Sequence, residues 1–191
     1  MLHRFFQRVY GILVSPQSEW RTIASEPVYD PQDLIRDYAM PMIVTATLLE
    51  VIVAGILTGI KTKLVWTALV HFALLSLLLA ITTSLIQSFA PRFQASDDRN
   101  QAAKVAVYGS TPIWIATILS SLLPFGALFS FVLKLAGLIY ALYLYSLGLA
   151  PVLNVPSAQR SGFSSVIAIM LFLTFGVIRL LSAGAERFFN R

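Results

Sequence analysis

The sequence predicts an all-α integral membrane protein: a bundle of five transmembrane helices preceded by a short amphipathic arm in the membrane interface. Three observations carry that expectation. Of 191 residues, 57% are apolar and only 12% charged, against roughly 25% charged in a soluble domain, and mean hydropathy is +0.76. The 55 residues 105–159 hold one formal charge, Lys134, whereas one bilayer crossing takes about 20 residues. The remaining charges fall mostly between apolar tracts.

Residues 1–30 read as the arm. A secretory signal needs an apolar core of about 7 to 15 residues and a small-residue cleavage site, and the opening of the chain has neither. Leu2, Phe5, Phe6, Val9 and Leu13 instead recur at helical spacing, with Arg4, Gln7 and Arg8 on the other face, the pattern of a helix lying in the interface. Ser15 is expected to cap a second short helix that has Pro16 at its first position and Trp20, Ile23 and Ala24 on one side. Pro27 ends it. Tyr29, Asp30 and Pro31 form the next turn, with Asp30 as cap and Asp33 near the positive end of the dipole.

The membrane domain, residues 31–191, divides by its polar punctuation. Residues 38–60 form span one, apolar except for Glu50 and closed by Lys61 and Lys63. Span two, 64–89, contains His71, stops before Pro91, and leads into a polar loop with Asp97, Asp98, Arg99 and Asn100. The stretch 105–159 would be about 80 Å of helix against a core of about 30 Å, so it must turn back once. Pro124 and Gly126 mark that turn, giving span three at 105–123 and span four at 127–149, the latter closed by Gly148 and Pro151. Span five is 164–183. With the N-terminus inside, the inner side carries Arg4, Arg8, Arg21, Arg36, Arg92, Arg99, Lys104 and Arg160 and the outer side Lys61, Lys63, Arg187 and Arg191. Eight against four places the N-terminus in the cytoplasm and the C-terminus in the periplasm or outside.

Glu50 is the sharpest candidate for function, because a carboxylate at depth is costly and calls for a named partner. Lys134 lies at a matching depth in span four, and His71 and Arg179 fall in the same half of the bilayer. Glu50, His71, Lys134 and Arg179 therefore read as one polar layer, either a structural clamp or a proton or ion path in a small transporter or channel. Gly55 and Gly59 make a G-x-x-x-G step suited to close helix packing. Pro41 and Pro112 each remove a backbone hydrogen bond inside a span, and Tyr108, Gly109, Ser110 and Thr111 stand ready to satisfy the freed carbonyls.

Enzyme signatures are absent. There is no G-x-S-x-G, H-E-x-x-H or Walker-type loop, no cysteine, and only His3 and His71 to serve a metal. No catalysis, cofactor or metal is expected. The net charge of +5 is dispersed, which excludes a nucleic-acid groove. The expected partners are the lipid bilayer and, beyond it, a second copy of the chain or other membrane proteins.

The run Tyr108-Gly109-Ser110-Thr111-Pro112 is followed by Leu138-Ile139-Tyr140-Ala141-Leu142-Tyr143-Leu144-Tyr145-Ser146-Leu147-Gly148-Leu149, and the arm contains Ser15-Pro16-Gln17-Ser18-Glu19-Trp20. In this order the chain resembles the Yip family, the Ypt/Rab-interacting polytopic membrane proteins, and its Pro-x-x-x-Trp opening is similar to that of the bacterial branch. The resemblance covers most of the chain. It implies a five-span bundle in the bacterial inner membrane, with a cytoplasmic N-terminus and an outward C-terminus, and brings no catalytic residue; the interfacial arm, the G-x-x-x-G step and the lack of catalytic groups point to a non-enzymatic role in scaffolding or membrane organisation. Eukaryotic members associate with small GTPases and carry a long cytosolic N-terminal region that this sequence lacks, so GTPase binding is not carried over.

Overall fold

The computed structural model describes residues 2–27, 30–59, 62–123 and 125–188, with side chains except at 2, 178–179 and 182–188. Helices α1 (Leu2–Val14) and α2 (Pro16–Ser25) form the arm. Span one is composite: α3 (Pro31–Leu34), one π-helical turn (Ile35–Ala39) and α4 (Met40–Thr58). Span two is α5 (Thr62–Phe89) with a closing 3-10 turn (Ala90–Phe93). Span three is α6 (Arg99–Gly109) plus α7 (Thr111–Leu122), span four is α8 (Ala127–Leu153), and α9 (Ser157–Phe188) is the fifth. Among the described residues, five helical segments are long and apolar enough to cross a membrane.

The caps explain where these helices start and stop. Asp30 Oδ1 accepts from the Gln32 N–H at 2.8 Å, and Asp98 Oδ1 from the Asn100 N–H at 2.7 Å, each satisfying a donor that the first helical turn leaves open. Gly59 (φ +80°) ends α4 and Gly126 (φ +99°) precedes α8, a backbone region glycine enters without a Cβ clash. Ser15 differs from expectation: it holds the cap position but its side chain makes no capping bond, and Ser18 Oγ donates instead to the Ser15 carbonyl at 2.9 Å. Pro151 does not end span four either. The helix runs through it to Leu153 and stops at Asn154 in the left-handed region (φ 56°). The helices also reach past the apolar limits read from sequence, beginning at Pro31, Arg99 and Ser157; a charged residue marks where lipid ends, which is a different place from where a helix starts.

Span three is the axis of the bundle. Its most apolar window is 67% buried within the chain, against 28% or less in the other four, and every residue from Ala102 to Trp114 is buried. α7 packs against α4 and α8, α6 packs against α5 and α8, and α9 closes the side formed by α5 and α8. That position accounts for its polar content. Thr117 donates to the Ile113 carbonyl at 2.8 Å and Ser120 to the Thr117 carbonyl at 2.8 Å, bonds that lipid could not supply.

Two glycines let this axis be approached closely. A Cβ at Gly109 would lie 2.4 Å from the Tyr145 ring, and one at Gly137 would lie 2.6 Å from the Ala116 Cβ and 2.8 Å from the Pro112 carbonyl. Gly176 meets open space. Gly109→Ala is therefore expected to lower stability by about 1–3 kcal/mol through overpacking, whereas Gly176→Ala is expected to be neutral or stabilising by up to about 1 kcal/mol. Thermal unfolding in detergent, followed by helical circular dichroism, checks the pair.

Candidate functional site

Pro112 has no N–H to offer the Tyr108 carbonyl, so span three breaks between α6 and α7, at Ser110. The neighbouring residues turn that break into a junction. Ser110 Oγ donates to the Ala106 carbonyl at 2.8 Å and lies 2.7 Å from the Tyr145 hydroxyl, which also reaches the Ala106 carbonyl at 3.4 Å. Thr111 Oγ1 and the Tyr38 hydroxyl are 3.0 Å apart. Tyr108 meets Tyr38 edge to face at 4.8 Å and Trp20 at 6.5 Å, within the range where aromatic pairs attract. Tyr38 comes from the π-turn of span one and Tyr145 from span four, so three spans meet at the junction.

The arm is fastened to the same place. The Arg8 guanidinium bridges Glu19 and Glu26 of α2 and the segment after it and lies over the Tyr108 ring, 5.4 Å from its centroid. Burial alone would lower the Arg8 pKa, but Tyr108, Glu26 and Glu19 outweigh it and hold the group above its ordinary value. Trp20 is buried against Gly148, where a Cβ would come within 2.9 Å of the indole. Lys104 Nζ donates to the carbonyls of Glu26 (2.9 Å) and Ile23 (3.3 Å), a buried cation at the negative end of α2. Tyr140 donates to the Leu13 carbonyl at 2.6 Å.

Lys104 was legible only as a topology charge. For Lys104 the available signal was its i, i+4 relation to Tyr108, which puts both on one helix face. For Arg8 the expectation is corrected: it points inward with Phe5, Val9 and Ile12, while Phe6, grouped by spacing with Phe5 and Val9, is 63% exposed. Beside Arg8 a cleft of about 320 Å³ is lined by Arg4, Phe5, Asp33, Asp37, Tyr38 and Tyr108. Asp33 and Asp37 pair with Arg36 at 2.9 and 2.8 Å. Among the described residues no three His, Asp or Glu side chains are placed to hold a metal ion.

Of the polar layer expected from sequence, the structure joins two members. Glu50 Oε2 and His71 Nδ1 are 2.7 Å apart, both partly buried. Glu50 stands nine residues before Gly59 and His71 nine residues after Thr62, which is how antiparallel neighbours meet. Lys134 is half-buried on α8, and α7 packs against both α8 and α4. The Arg179 side chain lies outside the described residues. The G-x-x-x-G step is corrected as well: Gly55 is buried within the chain, while Gly59 has left the helix at φ +80°, so the two share no continuous helix face.

The Yip1 domain model matches residues 10–178, from the arm through all five spans. The chain belongs to the Yip1 domain family. The junction built on Tyr108-Gly109-Ser110-Thr111-Pro112 and Tyr145 lies inside the matched region, as does the Glu50–His71 contact. Neither curated proteins nor solved structures give a match. As a Yip1 domain protein the chain is a polytopic integral membrane protein, in keeping with its apolar helices.

If Glu50 and His71 clamp spans one and two, removing one partner strands a polar group at depth. Glu50→Leu or His71→Leu alone is expected to lower stability by roughly 1–3 kcal/mol, and the double replacement to recover most of that loss. A double-mutant cycle by thermal unfolding in detergent checks this; additive losses would refute the clamp.

Proposed function

We propose that this Yip1 domain protein is non-enzymatic and acts as an organiser of the membrane, holding membrane partners or shaping the bilayer. The observation that carries the reading is how the polar groups of the junction are used. Ser110, Thr111, Tyr38, Tyr145, Arg8 and Lys104 all bond within the chain, which favours a fixed scaffold over a reactive centre. The reading of Glu50, His71, Lys134 and Arg179 as a transport path gains no support, because Glu50 and His71 close on each other across one helical hairpin.

The finer location belongs to the same proposal. The excess of Lys and Arg on the arm side supports a cytoplasmic N-terminus and a C-terminus on the opposite face. The Pro-x-x-x-Trp arm supports the bacterial branch and the inner membrane. Self-association and contact with other membrane proteins are part of the proposed role; GTPase binding is not.

Crosslinking in native membranes and electron microscopy of reconstituted liposomes test the reading together. A crosslinked homo-oligomer or partner, or vesicles whose shape changes with protein density, is the expected outcome. Monomers alone, with vesicles of unchanged shape, would contradict it.

A further inference from the structure

The arm helix α1 turns one side to the bundle, is met by Glu19 of α2 at Gly11, and leaves the rest of its surface open. Phe5, Arg8, Val9 and Ile12 face the bundle. Phe6, Tyr10 and Val14, one every fourth residue, form a stripe that is 63%, 66% and 58% exposed. Arg4 and Gln7, also exposed, project beside that stripe at 100° per residue, while His3 falls within its azimuth at the first turn. Past that turn, one flank of the free surface is apolar and the other polar.

The depth of α1 follows from two independent contacts. Near its start, Phe5 lies 5.3 Å from the Tyr38 ring, whose hydroxyl is at Thr111, the first residue of α7. From there α7 runs twelve residues to the far end of the bundle, about 18 Å. At its other end the Leu13 carbonyl is bonded to Tyr140, thirteen residues along α8 from Ala127, about 20 Å from the same far end. Both ends of α1 therefore sit at one level, so the helix runs along the membrane plane. That level is about 10 Å short of the roughly 30 Å that a hydrocarbon core occupies.

We infer that α1 is embedded in the leaflet on the arm side, below the headgroups, with Phe6, Tyr10 and Val14 against acyl chains and Arg4 and Gln7 toward the phosphates. The occupant of the free stripe is lipid. Continuity supports this: the bonded Tyr140 has the exposed Ile139 (56%) and Tyr143 (44%) beside it on α8, so the stripe extends the surface that span four already turns outward. A burial of about 5–10 Å is the ordinary depth of an interfacial helix, and here a protein contact sets it. Because one leaflet alone accommodates α1, the inference deepens the organiser reading by naming lipid as its partner.

The chain has no cysteine, so single substitutions can carry a unique environment-sensitive fluorophore. Tyr10→Cys and Val14→Cys are compared in phosphatidylcholine–phosphatidylglycerol vesicles with Ile139→Cys as the lipid reference and Arg160→Cys, on an exposed residue, as the aqueous one. Labels at 10 and 14 are expected to be quenched by shallow nitroxide lipids as strongly as at 139, with iodide access at least threefold below 160. Iodide access equal to that at 160 would overturn the inference, and so would shielding from both quenchers, which means protein covers the stripe. The two positions are read separately, so one misfolded variant leaves the other. A positive depth profile with unchanged vesicle shape upholds the placement and removes only the membrane-shaping role.

Discussion

In lipid, a backbone or side-chain polar group has no solvent to turn to, so an interrupted transmembrane helix survives only where the chain itself supplies every partner. The break at Pro112 imposes that constraint on the rest of the molecule. It draws Tyr145 from span four and Tyr38 from span one onto Ser110 and Thr111, and it places Tyr108 where Trp20 and Arg8 of the arm can close over it. Span three is consequently both the least lipid-exposed helix and the one richest in buried hydroxyls. Its polarity and its central position are one fact seen twice.

The number of spans was legible because hydropathy reports directly on the solvent a segment faces. The break at Pro112 was legible too, since a proline within an apolar tract interrupts the helical hydrogen bonds. The identity of the partners was not. Tyr38 and Tyr145 are far from the motif in sequence, and nothing in the spacing of a single helix says which neighbour faces it. Glu50 was matched by depth to Lys134, whereas the contact on view is with His71, at the corresponding place on the neighbouring antiparallel helix.

The arm misled for a different reason. Periodicity separates apolar from polar sides, and α1 does not divide that way. Arg8 turns inward because Glu19, Glu26 and the face of Tyr108 together replace its water, while Phe6 turns away from the bundle. Gly59 illustrates a further limit of pattern reading: four residues from Gly55 it appears to continue a helix face, but its positive φ ends that helix.

The central claim is that the break in span three is the most firmly held point of the fold, and not a hinge. Hydrogen exchange in detergent micelles reads this most directly, because a closed junction and a hinge differ in how often their amides open. Amides from Ala106 to Trp114 are predicted to exchange more slowly than those in the middle of α5 or the described part of α9. Faster exchange at the break than in those uninterrupted helices would contradict the account.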